Sequence, residues 1–234
     1  MNQTTIITIP QITLPDNPNQ IGAWLPDAPL SDDAIILTAR LFLFAFLTDL
    51  PRRVAAMTGK ESPKYVDIAP PNKDELRRLA VDHLAGRRTI AVSLADAGGM
   101  AWAGCRDYDG GGEALLRAAL AADAARGVTS FGILIGERSH LWRLYDRPCA
   151  AAAIRADLAA SLPPGPGECY PSRSVIRLPF GYHRLARTRG VMLLQDGRRL
   201  DLDDPAHLAD AITIVLTMPR NPPPPPTTRT TRAT

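Results

Sequence analysis

The residues of this chain whose types and spacing suit chemistry fall in four short stretches: Asp107-Tyr108-Asp109, Arg138-Ser139-His140, Glu168, and Arg177 with His183. Each ends, or sits on, a segment that reads as a β-strand. Two acids one residue apart on an extended strand point to the same face, so one rigid element offers two oxygen ligands. Magnesium commonly takes one or two carboxylates plus substrate phosphates. Paired ions about 4 Å apart stabilise both the attacking and the leaving oxygen in polymerases. His140 and Arg138 are placed to donate to a phosphate, the arginine bidentately. Arg177 and His183 flank Leu178-Pro179-Phe180-Gly181, where Pro179 and Gly181 force a bend that projects the flanking polar groups. Glu168 follows a proline-glycine loop and is the candidate third acid, with Asp146 as a rival. Such a set would hold a metal-bound triphosphate, which is the chemistry of nucleotidyl transfer.

Each piece alone also has a plainer reading. D-x-D tripeptides are common in surface turns, and Gly110-Gly111-Gly112 follows this one. A histidine at a turn is often satisfied by a nearby backbone group, and Glu168 also reads as an exposed loop acid. Their occurrence together and in this order is what favours a single site.

The elements that must position them read as follows. Residues 1–30 are rich in Pro, Asn, Asp and Thr, and Ile6, Ile7, Ile9, Ile12 and Leu14 suit a short strand or an arm lying on the core. Ser31-Asp32-Asp33 supplies a cap and first-turn acids for a helix to about Thr48. The stretch 52–71 reads as irregular, broken by Gly59, Pro63, Pro70 and Pro71. A helix over 72–86 carries Leu76, Leu79, Ala80, His83 and Leu84 at helical spacing. Residues 89–94 and 100–107, separated by Asp96-Ala97-Gly98-Gly99, read as a β-hairpin. An alanine-rich helix over 113–126, strands at 131–135 and 139–145, a helix over 150–161, and short strands at 168–170, 175–179 and 191–195 follow. A last helix begins at Pro205 behind Asp203-Asp204. Strands mixed with helices on a largely antiparallel plan give an α+β fold. The division expected is an arm and helix (1–60), a catalytic domain (61–218) and a proline-rich tail (219–234), extended or disordered because it cannot bury a core.

Composition is that of an ordinary globular chain: 234 residues, 45% hydrophobic, 22% charged, net charge +3. The signs are unevenly spread. Arg173, Arg177, Arg184, Arg187, Arg189, Arg198 and Arg199 face a single acid, Asp196, over 173–199. That suits a polyanionic ligand, with Arg184, Arg187 and Arg189 as the loop that grips a phosphate backbone. The same run also reads as a solvated basic face. Cys105, Cys149 and Cys169 form no C-x-x-C pair, so neither a zinc knuckle nor a disulfide framework is implied. The expected setting is reducing and cytoplasmic. No signal-peptide pattern opens the chain, and the apolar stretch 34–47, interrupted by Arg40, is too short to span a bilayer.

Taken together, these pieces resemble the archaeo-eukaryotic primase superfamily, and within it the primase-polymerase domains of mobile elements and bacterial conflict systems. Asp107-Tyr108-Asp109 resembles the D-x-D/E motif. Ser139-His140-Leu141-Trp142 resembles the S-x-H motif that "LW" often follows. Glu168-Cys169-Tyr170-Pro171 and Ile176-Arg177-Leu178-Pro179-Phe180-Gly181-Tyr182-His183 resemble the acidic "E-x-[FY]-P … R-L-P-x-G-x-H" segment, and His83-Leu84-Ala85-Gly86 an "HL-x-G" entry. The resemblance covers roughly residues 65–200 and implies an RNA-recognition-like antiparallel sheet packed by helices. It implies primer synthesis or template-directed extension on single-stranded DNA, with nucleoside triphosphates and Mg²⁺ or Mn²⁺. It makes Asp107, Asp109 and Glu168 the metal ligands and His140 the triphosphate ligand, with Arg138, Ser139, Arg177 and His183 beside it. A separate helicase or other replication or defence subunit is an expected partner. The chain departs from the pattern at Arg138, which stands where the family places its serine, and in a shortened glycine turn. Those departures keep open a degenerate, nucleic-acid-binding copy of the fold. An unrelated α+β protein that binds a partner through the proline-rich tail is the third alternative.

Overall fold

Strand β4 (Met100–Tyr108) and the long strand β6 (Arg138–Ala150) form the spine of the molecule, paired antiparallel with Asp107 opposite His140 and Cys105 opposite Trp142. The computed structural model describes residues 45–47, 50–57, 65–69, 72–183 and 185–225. Around the spine lie β5 (Phe131–Ile135), β7 (Cys169–Tyr170), β9 (Val191–Leu194) and β10 (Arg199–Asp201), giving a six-stranded sheet of order β10-β9-β5-β6-β4-β7. A second sheet has order β2-β1-β3-β8, built from β1 (Val54–Met57), β2 (Val66–Ile68), β3 (Thr89–Val92) and β8 (Ile176–Arg177). Every pairing between strands is antiparallel. With the helices α1 (Lys73–Leu84), α2 (Gly112–Ala125), α3 (Ala151–Ser161) and α4 (Pro205–Thr217) among the described residues, the fold is α+β.

Alternation along the large sheet divides it into two packed faces. On one face Tyr108, Leu134, Leu141, Tyr145 and Leu193 meet Leu116, Ala119 and Leu120 of α2 and Ile154 and Leu158 of α3. On the other, Cys105, Phe131, Ile133, Trp142 and Met192 share a core with Val54, Ile90 and Val92 of the small sheet, closed by α1 and α4. Phe46 stands edge-on to Trp142 with centroids 5.2 Å apart. This second core lies between the sheets, and the polar ends of β4, β6 and β8 open at its rim.

Local signals account for the starts of α1 and α4. Asn72 caps α1: its side chain accepts from the amides of Asp74 and Glu75, while the Glu75 carboxylate accepts from the Asn72 amide. Asp204 caps α4 ahead of Pro205.

Three expectations need correction. The stretch 52–71 is not irregular throughout, because β1 and β2 lie in it. The chain's Val54–Met57 is completely buried between β2 and β3, so the core sheet begins before position 61. Residues 89–107 are not a hairpin: the turn at 96–99 carries the chain from one sheet to the other, with β3 pairing β1 and β8 and β4 pairing β6 and β7. The tail begins anchored. The Asn221 side chain donates to Thr129 O and Leu144 O and accepts from Thr129 N, and its backbone bridges Leu144 and Asp146. The expected arm over 1–30, the helix from 31 to 48 apart from residues 45–47, and the tail beyond 225 lie outside the described residues. Among the described residues no helix is long and apolar enough to cross a membrane.

Candidate active site in the cleft between the sheets

The acidic edge is made by the last residues of β4. Asp107 projects between its neighbours, opposite His140 on β6, with the imidazole Nε2 3.4 Å from its Oδ1. On the other side the Asp107 amide donates to Glu168 O at 2.8 Å and the Asp109 amide to Pro166 O at 3.1 Å, so the proline-glycine loop runs alongside the strand end. Gly167 makes that approach possible. It sits at φ +113, and a Cβ there would stand 2.2 Å from Asp107 O. Asp109 faces the same cleft, 3.7 Å from Arg138 Nε.

The opposing wall comes from β8 and its flanks. Arg177 is buried and its Nη1 has no hydrogen-bond partner among the described residues. The Tyr65 hydroxyl and His140 Nδ1 are buried and unpartnered in the same way. All three side chains line a cleft of about 620 Å³, together with Asp107, Asp109, Arg138, His183 and the apolar Ile133, Ile135, Val175 and Leu185. Buried polar groups are normally hydrogen-bonded, so unmatched nitrogens and a hydroxyl gathered in one cleft point to a ligand rich in acceptor oxygens.

Burial governs the charges. It raises Asp107 from 3.8 to about 6, with the negative charges of Asp109 and Glu168 adding to the rise and Arg138 and Arg106 opposing it. Burial lowers His140 from 6.5 to about 3, reinforced by Arg177, His183 and Arg138. His140 is therefore a neutral imidazole at pH 7, and its contact with Asp107 is not an ion pair. Burial also pushes the Tyr65 phenol up to about 12, leaving it a hydrogen-bond donor. Arg177 is lowered by burial, with Tyr65 and Asp107 pulling it back up, and it stays a cation at any ordinary pH.

The carboxylates suit a hard, oxygen-seeking cation, since their mutual repulsion already destabilises the ionised Asp107. Among the described residues no three His, Cys, Asp or Glu side chains converge closely enough to cage a metal. Glu168 is exposed, accepts from Ser172 Oγ at 3.4 Å, and does not line the cleft. An ion here would take Asp107 and Asp109, leaving its other positions to water and substrate, which is how magnesium is usually held.

The other expected residues are placed as follows. Ser139 borders the cleft, but it pairs with Tyr108, and alternation turns its buried side chain to the helix-covered face. Asp146 lies six residues beyond His140 on β6, roughly 20 Å along the strand, which removes it as a rival third acid. Arg184 lies outside the described residues. Arg187 is exposed at φ +55. Arg189 is buried with Nη1 donating to Phe180 O at 2.9 Å, so it braces the chain instead of facing a nucleic acid. Arg198 pairs with Asp196 and Arg199 with Glu113, so the arginine run is not a continuous basic face. Sequence reasoning missed Tyr65, which had no signal beyond being a tyrosine in a stretch read as irregular. It also missed Ile133 and Ile135, whose place in the cleft depends on the pairing of β5 with β6.

No family model and no curated protein matches the chain. Among solved structures the chain is similar to the AEP domain of the cyanophage S-2L primase-polymerase (PrimPol), at 19% identity and a TM-score of 0.43, over 76% of this chain and 98% of that one.

Proposed function

We propose that this chain is a primase-polymerase type nucleotidyltransferase, which extends or initiates a strand on single-stranded DNA from nucleoside triphosphates with Mg²⁺ or Mn²⁺. The observation that carries the reading is the cleft itself. An acid pair, Asp107 and Asp109, faces buried groups of Arg177, His140 and Tyr65 that have no partner among the described residues.

In this reading Arg177 takes the phosphates from the small-sheet wall, with Arg138 and His183 at the rim. Neutral His140 offers a ring nitrogen without adding a second charge, and Ile133, Ile135 and Leu185 exclude water from one side of the bound nucleotide. A primer 3′-hydroxyl displaces pyrophosphate from the α-phosphorus, the new P–O bond forming as the bond to pyrophosphate breaks, and the hydroxyl proton passes to solvent water. Asp107 and Asp109 are the residues that would hold a divalent ion, which when bound would supply Lewis acidity to that transfer. The protein's own share is positioning and fixed electrostatic stabilisation.

The test is primer synthesis and primer extension on single-stranded template with Mg²⁺ or Mn²⁺, comparing wild type with Asp107→Ala/Asp109→Ala. Product from the wild type alone supports the reading. Equal product from a folded double variant removes it.

A second reading, a catalytically degenerate nucleic-acid-binding module, is favoured by Glu168 standing outside the cleft. It requires single-strand binding that is indifferent to metal and to Asp107, and steeply weakened by salt.

A further inference from the structure

The segment between Arg177 and His183 is a buried bend, and an irregular buried backbone must find partners for its carbonyls. Here side chains from elsewhere in the chain supply them. His83, from the last turn of α1, places Nε2 3.0 Å from Leu178 O and 3.1 Å from Pro179 O, while its Nδ1 accepts the Ile90 amide at 2.9 Å. That acceptor role puts the ring proton on Nε2, which donates to the two carbonyls. Arg189 Nη1 donates to Phe180 O at 2.9 Å, and Thr89 Oγ1 to Tyr182 O at 2.6 Å. Gly181 lies so close to the imidazole that a Cβ would stand 1.9 Å from its Cε1. Phe180, at φ +69, stacks on Phe131 with centroids 6.3 Å apart. A bulky residue with positive φ is uncommon and persists where its surroundings over-determine it.

The two ends of this bend are Arg177, whose Nη1 in the cleft has no partner among the described residues, and His183 at the rim. We propose that His83 is a positioning residue for the cleft: by donating to Leu178 O and Pro179 O it fixes the bend that aims Arg177 and His183 at a phosphate-bearing ligand. The ligand in this inference rests on the nucleotide-binding reading above, whereas the mechanics rest on the bend alone. His83 touches no substrate, so its effect must pass through Arg177 and His183.

The experiment measures dATP binding with Mg²⁺ by calorimetry, together with hydrogen exchange at the Leu178 and His183 amides, for wild type, His83→Leu, His83→Gln and each in an Arg177→Met background. Glutamine keeps a donor at the imidazole's position and leucine does not. His83→Leu is expected to weaken binding about 10-fold and His83→Gln less than about 3-fold. In the Arg177→Met background the leucine change should add less than about 2-fold, because only the part passing through His183 at the rim is left. A folded His83→Leu protein that binds as wild type overturns the proposal, as does a loss that persists in full without Arg177. If His83→Leu does not fold, Gly181→Ala takes its place, since it pushes the bend off the ring while every polar group stays. If wild type binds no dATP, the nucleotide reading fails separately. Exchange then decides the role of His83: faster exchange at Leu178 and His183 in the leucine variant, restored by glutamine, supports it, and unchanged exchange sinks it.

Discussion

Asp107 and His140 face each other across neighbouring antiparallel strands, Oδ1 to Nε2 at 3.4 Å, and burial drives both toward their neutral forms. The acid is lifted to about 6 and the imidazole is lowered to about 3. Such a pair is poorly explained as a stabilising contact, because each member would be better solvated outside the protein. It is what a site looks like when groups are held ready for a charged ligand.

The stability of an Asp107→Asn variant tests this directly. Asp107 is raised from 3.8 to about 6, so the folded state binds more protons than the unfolded state between those values. Its penalty grows as pH rises through that window and is complete above it. A shift of about two units corresponds to at most about 3 kcal/mol. Urea denaturation at pH 8 should show Asp107→Asn more stable than wild type by up to that amount, with the difference vanishing toward pH 4, while the proposed polymerisation is lost. A variant less stable than wild type at pH 8 contradicts the assignment.

The histidines give a second pH dependence of opposite sign. His83 and His140 are both lowered from 6.5 to about 3 by burial. Near pH 5 these two histidines therefore bind about two protons in the unfolded chain that they lack in the folded one, Asp107 offsets about one of them, and His183, also lowered by burial, adds in the histidines' direction. Wild-type stability should fall by at least about 1.4 kcal/mol per pH unit as pH drops through 5, and Asp107→Asn should steepen this by about 1.3 kcal/mol per unit. Denaturant midpoints at half-unit steps from pH 4.5 to 6 measure both slopes. Parallel slopes in the two proteins would remove Asp107 from the balance.

Arg177 separates ligand binding from folding. Its guanidinium is desolvated and one nitrogen lacks a partner among the described residues. Hydrogen bonds to charged groups contribute about 1.5–3 kcal/mol, so Arg177→Met should weaken triphosphate binding by about 10- to 100-fold. Its melting temperature should hold or rise. A large drop in melting temperature with affinity intact would make Arg177 a structural residue.

What the sequence made legible was what is encoded locally. The Asn72 capping box and the Asp204-Pro205 start mark α1 and α4 by residues in contact with their own helix. The order of the short motifs put Asp107, His140 and Arg177 at strand ends. The pairing of those strands was less accessible. Gly98 and Gly99 look like hairpin punctuation, yet β3 finds its neighbours in β1, more than thirty residues before it, and in β8, more than eighty after it. Tyr65 reaches the cleft only because β2 joins that same sheet. Charge counting could not see burial, which removes Arg189 from a surface that Arg187 still occupies.

That difference between two arginines can be measured. If Arg187 meets a nucleic-acid phosphate, Arg187→Ala should weaken single-strand binding and reduce the salt slope of log K by about 0.7, with no change in stability. Arg189→Ala leaves Phe180 O without its donor, so it should cost about 1–3 kcal/mol of stability and leave the salt slope unchanged. Fluorescence anisotropy against salt concentration, beside denaturant titration, distinguishes them. Identical behaviour of the two variants would dissolve the distinction.

The face of the large sheet away from the cleft carries a further buried charge, held by a carboxylate. Arg143 of β6 has a fully buried side chain. Its Nε donates to Asp123 Oδ2 at 2.9 Å, Nη2 contacts Asp123 Oδ1 more closely, and Nη1 donates to Asp157 at 2.6 Å. One cation thereby ties β6 to α2 and α3, three residues along from His140. Removing one partner of a buried pair costs about 3–5 kcal/mol, because the charge left behind is unsolvated, whereas replacing both with apolar residues often costs little. Asp123→Ala should therefore lose about that much, and Asp123→Leu/Arg143→Leu should recover most of it, since Asp157 keeps Arg126 at 2.8 Å. Affinity for dATP should be unchanged in the double variant, because no group in the cleft is touched. Urea denaturation reads the first effect and calorimetry the second. A single-variant loss below about 1 kcal/mol would mean that the carboxylate is not what holds the guanidinium in place.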